Sequence, residues 1–193
     1  MKRFLAWFCL AIFICVCTFW QWSERTTAAN RLSAADGVEL RITSGAVEVV
    51  GGKGSQVRVE IEGVSPALAE TARIQIHLDR KPVLVEISNL PQKARAVVEV
   101  PASSSLAVSM LAGELKISGV TGNTFALLRS GQMTIGVGAA SHFRSADGFV
   151  LAGNLDAAPF ARETGGLWRR LHWSGRGSSS VDAHVTFGEL ILE

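Results

Sequence analysis

The second half of the chain repeats one pattern of hydrophobic and polar positions. A large apolar residue is followed by a few residues, a glycine, and two apolar residues separated by one position. The glycines lie 18, 17 and 17 residues apart at Gly113, Gly131, Gly148 and Gly165, and Gly188 ends the series. The large apolar residues are spaced by 19, 18 and 17 at Leu106, Phe125, Phe143 and Phe160. This pattern predicts a structural repeat over residues 102–193.

The repeat indicates an all-β fold. Side chains alternate along a strand, so the two apolar residues after each glycine point to one side. Such a short unit cannot bury that side alone, whereas stacked units bury a continuous core. We expect a stacked short-strand, β-helix-like β-solenoid with the series from Leu106 to Phe160 inside and the glycines at sharp corners. A β-sandwich with similarly spaced hairpins is the alternative. The ends of a solenoid need protection from edge pairing, and a final charged rung at residues 188–193 is expected to provide it at one end.

Residues 36–101 carry alternating strands without a clear 17-residue phase, and we interpret them as entry strands, a sheet that covers one end of the coil. A single short helix is predicted after Ser65, because Pro66 suits the first helical position. The turn at Gly45 either closes a hairpin or lies inside the first rung of something longer. The predicted strands are 38–42, 46–49, 57–62, 74–78, 83–87 and 96–101.

The N-terminus carries an export signal. Residues 4–20 contain no charge and follow a basic head at Lys2 and Arg3. Residues 1–22 therefore form a hydrophobic helix that is either a cleaved signal peptide or a signal anchor, which would hold the protein to the membrane through residues 4–20. The basic flank places the N-terminus inside, so the rest of the chain is expected to be exported, as a membrane-anchored, periplasmic or extracellular domain. We interpret residues 23–35 as a linker and residues 36–193 as an all-β domain.

Composition narrows the function classes. The sequence has 19 basic and 17 acidic residues, and the basic excess lies within the first 30 residues. A neutral exported domain offers no electrostatic basis for binding nucleic acid. All three cysteines lie in the hydrophobic N-terminal run, at Cys9, Cys15 and Cys17. The remaining domain therefore has neither a disulfide framework nor a thiolate metal site.

Catalytic and cofactor-binding motifs are absent from the sequence. The four histidines lack metal-ligand spacing, and no GxSxG elbow is present. The lysine in residues 51–54 lacks the spacing of a phosphate-binding loop. The acidic residues between 115 and 188 form no evident pair of the kind glycosidases use, and they are Asp147, Asp156, Glu163 and Asp182. We expect a non-enzymatic protein without a cofactor.

Short motifs along residues 36–192 resemble a known family. Residues 44–49 (SGAVEV) and 56–61 (QVRVEI) look like its opening strands, and 98–108 (VEVPASSSLAV) looks like the entry to its repeats. The motifs AGELKI and SGQMTI, at 112–117 and 130–135, look like the repeats themselves. On these residues the chain resembles the bacterial putative-adhesin domain family, whose members often follow an N-terminal membrane segment. The resemblance implies a Gly-rich β-coil without enzyme activity. The Asp that often follows each repeat glycine in that family is replaced here, by Glu114 and Gln132 among others.

The repeat is interrupted at residues 166–180, and this interruption is the candidate binding region. An exposed tryptophan stacks on sugar rings, and arginine pairs with carboxylate or phosphate. The candidate interaction patch is Trp168, Arg169, Arg170, His172, Trp173 and Arg176. The competing interpretation is that Leu167, Leu171 and Trp173 cap the coil while the arginines are solvated. The sequence thus predicts a cell-envelope scaffold or surface-interaction module with a glycan or protein partner; an envelope glycan-binding protein that uses residues 168–176 is the alternative.

Overall fold

A computed structural model describes residues 37–160 and 162–193, with only the backbone described at 162–164. The predicted signal segment (1–22) and linker (23–35) lie outside the described residues. Within the described ranges, no helix is long and apolar enough to cross a membrane.

Strands dominate the described residues, which confirms the all-β prediction. The single α-helix among them, α1 (Pro66–Ala69), is one turn long and has Ser65 at its N-cap without a side-chain hydrogen bond. Two 3₁₀ turns span Ala140–His142 and Ala158–Phe160. The strands are β1 (Gly37–Gly52), β2 (Arg58–Glu62), β3 (Arg73–His77), β4 (Val83–Ser88), β5 (Arg95–Pro101), β6 (Ser105–Ser118), β7 (Thr124–Ile135), β8 (Phe143–Ala157), β9 (Arg162–Ser174) and β10 (Ser179–Leu192).

Each long strand bends at one glycine, which divides it into a first arm and a second arm. In β1 the buried positions are even-numbered before Gly45, as at Leu40, and odd-numbered after it, as at Val47 and Val49. This change of parity lets both arms turn their apolar side chains into one buried cluster. The hairpin interpretation of the turn at Gly45 is therefore wrong, and the longer-rung interpretation is confirmed. Because β1 pairs in register with β6 along both arms, the repeat pattern begins at Gly37, earlier than the sequence suggested.

The bending glycines are aligned across the sheet in a column. All six have φ between +114° and +140°, a region that favours glycine, and the column consists of Gly45, Gly113, Gly131, Gly188, Gly153 and Gly166. A Cβ built on Gly131 would lie 1.9 Å from the carbonyl oxygen of Gly113. Close backbone approach therefore requires glycine here, in addition to the backbone angle.

Two glycines of the predicted series do not belong to this column. Gly148 lies within the first arm of β8, opposite Ala183, while Gly153 occupies the corner of that strand. Gly165 is likewise replaced at the corner by its neighbour Gly166. Even spacing along the chain was misleading here, because the corner is selected by the contact with the neighbouring strand.

The predicted apolar series also fails as a single internal stack. Leu106 lies opposite Thr124, which is buried, so the adjacent Phe125 points to the outer surface and is partly exposed. Phe143 and Phe160 are buried and make an edge-to-face contact with centroids 6.3 Å apart. Phe160 belongs to a 3₁₀ turn, so that contact joins a strand to a turn and does not join two rungs.

The strand order differs from the order along the chain. The described strands form a ten-stranded sheet whose main path is β2-β5-β1-β6-β7-β10-β8-β9. The last strand, β10, is inserted between β7 and β8 and pairs parallel with both. The prediction that residues 188–193 cover an end is therefore wrong, because β9 occupies that edge.

Antiparallel strands form the edges of the sheet at both ends of its parallel part. At one side, β9 runs antiparallel to β8. At the other, β4 pairs with the first arm of β1 and β5 with its second arm, and both pairs are parallel. The short strands β3 and β2 then follow antiparallel to β4 and β5. Strand β9 is therefore the last strand at one end of the sheet, and the outer face of the first arm of β8 lies next to it.

Candidate interaction surface on the outer face of the first arm

The structure divides the predicted patch between two sides of β9. Leu171 is buried, so alternation along the strand places its neighbours Arg170 and His172 on the outer face, where both are exposed. Trp173 is half-buried against the core, with its ring centroid 5.2 Å from that of Phe160. Trp173 is therefore mainly a packing residue.

The remaining patch residues occupy three different environments. Trp168 has φ +56° and is 65% exposed. Arg169 lies opposite the buried Val150, and its Nε is buried without a hydrogen-bond partner among the described residues. Arg176 is exposed in the turn between β9 and β10. The structure thus brings Trp168, Arg170 and His172 to one surface and leaves the other three apart from it.

Four rings from four strands make consecutive contacts on this outer face, and we call them the aromatic track: Phe125 (β7), His184 (β10), Phe149 (β8) and Trp168 (β9). The centroid separations along the track are 6.3, 5.8 and 6.2 Å. Successive rings are tilted by 49° to 59°, so each presents part of a face and an edge. The guanidinium carbon of Arg170 lies 5.4 Å from the Phe149 centroid, a cation–π contact.

A polar row borders the track on one side. Asp182, Asp147 and His172 are in register across β10, β8 and β9. His172 Nδ1 donates to Asp147 Oδ1 at 2.6 Å, and His184 Nε2 donates to Asp182 Oδ1 at 2.8 Å. Two carboxylates on directly paired strands repel each other, and each here accepts a hydrogen bond from a histidine instead. The row therefore presents carboxylates held in fixed orientations beside the rings.

Sequence reasoning missed most of this surface. Phe149 lies between the buried Gly148 and Val150, so strand alternation alone would have placed it outside. The same reasoning applies to His184, between the buried Ala183 and Val185. Asp147 and Asp182 looked isolated because 35 residues separate them, and only the insertion of β10 beside β8 makes them neighbours.

The described residues contain no group of three or more His, Cys, Asp and Glu side chains arranged to hold a metal ion. The carboxylates of the row are solvent-accessible and are paired with imidazoles. The arrangement offers stacking surfaces, hydrogen-bond acceptors and one guanidinium. These groups suit the recognition of a ligand through side chains.

Comparison with known proteins gives a likeness in fold. No family model matches the chain, and no curated protein matches it. A crystal structure of a putative cell adhesion protein from Clostridium sporogenes matches with a TM-score of 0.50. It is 11% identical in sequence, and the match covers 83% of this chain and 94% of that one. At this identity, the protein is similar to that adhesion protein in fold alone.

Proposed function

We propose that this protein is an exported, membrane-associated, non-enzymatic β-solenoid domain that acts as a surface-interaction module of the adhesin type or as a cell-envelope scaffold. The observation that carries the proposal is the aromatic track, a row of partly exposed rings on a continuous sheet face. Large apolar side chains exposed together mark interaction sites on soluble domains. The parallel pairing of strands that bend at aligned glycines supports the solenoid description.

Further exposed apolar side chains lie beside the glycine column at the same end of the sheet. Phe187 (54% exposed) and Leu167 (64% exposed) are both in register with Ala152 of β8. Their contact with solvent is unfavourable unless a partner covers them, since burial of apolar area contributes roughly 25 cal/mol per Å². The name of the fold neighbour, a cell adhesion protein, agrees with an interaction role.

Export is tested by protease accessibility. The full chain, expressed in a bacterial host with a C-terminal epitope, should be digested in spheroplasts and protected in intact cells, or digested in both if it reaches the surface. A membrane fraction should retain the undigested protein through residues 4–20. Protection in spheroplasts, with digestion only after lysis, would place the domain in the cytoplasm and contradict the proposal.

The interaction role is tested by adhesion. Cells that express the chain should aggregate or attach to envelope-coated surfaces more than cells with an empty vector. Trp168→Ala and Phe187→Ala should reduce attachment, and Leu78→Ala serves as the matched control. Leu78 is also exposed (71%) but lies beyond β3, at the opposite end of the sheet. Attachment equal to that of the empty vector would refute an adhesive function.

The second candidate function is binding of an envelope glycan through residues 168–176, now centred on Trp168, Arg170 and His172. The specific observation in its favour is that the exposed Trp168 ring lies next to Phe149, with hydrogen-bonding groups alongside. Insoluble envelope glycan should retain the wild-type chain better than Trp168→Ala, and equal retention would reject this candidate. Turnover of any polysaccharide by the purified chain would contradict the non-enzymatic assignment.

A further inference from the structure

We infer that the aromatic track is a binding site for a neutral, linear polysaccharide that lies diagonally across β7, β10, β8 and β9. This inference rests on the glycan-binding candidate above and names its ligand class. The track includes three residues outside the interrupted segment 166–180: Phe125 and Phe149 lie 41 and 17 residues before it, and His184 lies four residues after it. The proposed binding site also includes the polar row of Asp182, Asp147 and His172 that borders the track.

The dimensions of the track fit a polymer. Neighbouring strands lie about 4.8 Å apart, close to the rise of one pyranose ring in an extended linear glycan. The three centroid separations of about 6 Å give one ring per strand along a diagonal. Consecutive sugars would therefore meet consecutive rings, an arrangement that a monosaccharide site does not need.

Charges beside the track and over its centre select an uncharged ligand. The Asp147 and Asp182 carboxylates are in register on adjacent strands and repel a polyanion lying against them. Arg170 over the Phe149 ring repels a polycation at the centre of the track. Hydroxyl groups suffer neither penalty. They can donate to the carboxylate oxygens, which His172 and His184 hold in place.

The placement of the track on a sheet face argues for a glycan over a peptide. Backbone groups of β7, β10 and β8 already pair with strands on both sides. A peptide therefore cannot add a strand there, which is the usual way an extended peptide binds a sheet. A ligand on this face must be recognised by side chains, and stacking on rings is how sugars are held by aromatic residues.

The test is affinity electrophoresis of the full chain in a detergent that lacks a sugar headgroup. Gels contain hydroxyethylcellulose, galactomannan or arabinoxylan as neutral polymers, and carboxymethylcellulose as a charged polymer with the backbone of the first. We expect at least one neutral polymer to retard the wild type and carboxymethylcellulose to fail. Absence of retardation by all three neutral polymers, or retardation by carboxymethylcellulose alone, overturns the inference.

Variants at the two ends of the track identify the site. Trp168→Ala and Phe125→Leu should each weaken binding about tenfold, equivalent to about 1.4 kcal/mol, whereas Trp168→Phe should keep most of it. Leu78→Ala, at an exposed apolar residue beyond β3 at the opposite end of the sheet, is the control and should bind like wild type. Trp168→Ala with wild-type affinity would overturn the assignment. Unfolding midpoints are measured for every variant, so that loss of fold is recognised.

Length dependence supplies an independent measurement. A site that crosses four strands should bind a neutral tetrasaccharide at least tenfold more tightly than the disaccharide, and Phe125→Leu should weaken only the longer ligand. Equal affinities for the two would contradict an extended track. If adhesion persists while no polysaccharide binds, this inference fails and the surface-interaction proposal stands. If the folded wild-type protein shows neither adhesion nor polysaccharide binding, both the inference and the surface-interaction proposal fail.

Discussion

Replacement of Gly131 by alanine should destabilise the fold strongly. Gly131 has φ +130° and lies in the glycine column between Gly113 and Gly188. An added Cβ would be 1.9 Å from the Gly113 carbonyl oxygen and 3.1 Å from its nitrogen. Those are backbone atoms of a paired strand, so no side chain can rotate away, and the strands themselves must separate.

Two costs add in this variant. A side chain in that backbone region costs about 1–3 kcal/mol, and forcing atoms into a packed site costs typically 1–3 kcal/mol. The total of about 2–6 kcal/mol compares with a net stability of about 5–15 kcal/mol for a domain. Gly138→Ala separates the costs, because Gly138 also has a positive φ (+59°) but nothing lies within 4 Å of an added Cβ. That control should lose only about 1–2 kcal/mol.

Urea unfolding of the full chain in mild detergent, followed by far-UV circular dichroism, measures the difference. With a slope of about 1–3 kcal/mol per molar urea, a stability difference of about 2 kcal/mol lowers the midpoint of Gly131→Ala by about 1 M relative to Gly138→Ala. Gly136→Ala, where the nearest atom is an ordinary 3.5 Å away, should stay near wild type. Equal midpoints for Gly131→Ala and Gly138→Ala would show that the column has no close packing.

The remaining predictions concern the core and the turns. Leu190→Ala, at a fully buried position, should lower the free energy of unfolding by about 2–5 kcal/mol, whereas Leu167→Ala at an exposed one should change it by less than about 0.5 kcal/mol; similar urea midpoints would contradict the burial pattern. Asn123→Ala removes the Oδ1 acceptor of the Ser180 N–H (3.0 Å) and hydroxyl (2.9 Å). The Ser180 amide hydrogen should therefore exchange faster, and the free energy of unfolding should fall by about 1–3 kcal/mol. An unchanged exchange rate would mean that these hydrogen bonds are dispensable. Phe143→Asp should prevent folding by burying a carboxylate, and a cooperatively melting variant would refute the inward placement of Phe143.

Much of the local structure could be predicted from short-range patterns. Alternation identified the strands and the buried residues Leu115, Ile117, Met133 and Ile135, because the period of a strand is two whatever its neighbours are. The short helix after Ser65 followed from Pro66 at its first position. The need for glycine at the corners was also visible, since a repeated glycine before an apolar pair indicates a special backbone angle.

The strand order and the aligned glycines could not be obtained in this way. Gly148 fits the even spacing and Gly153, 22 residues after Gly131, does not, yet pairing with Gly188 selects Gly153 for the corner. Nothing in a local pattern shows that β10 returns between β7 and β8, because parallel partners are chosen by packing between strands that are distant in sequence. Each strand carries the same type of alternation, so several orders satisfy the pattern equally well.

In the candidate site, too, some features follow from local sequence and others depend on which strands are neighbours. The sequence by itself predicted that Trp168, Arg170 and His172 lie where the glycine repeat is interrupted, and its alternation was sufficient to place Phe149 on the outer face although that inference was not drawn. Only the tertiary structure decided that rings from four strands meet in one track and that Asp147 lies beside Asp182. The physical reason is that the inward side of a strand is set by its own residues, whereas neighbours on the outward side are set by which strands exchange backbone hydrogen bonds.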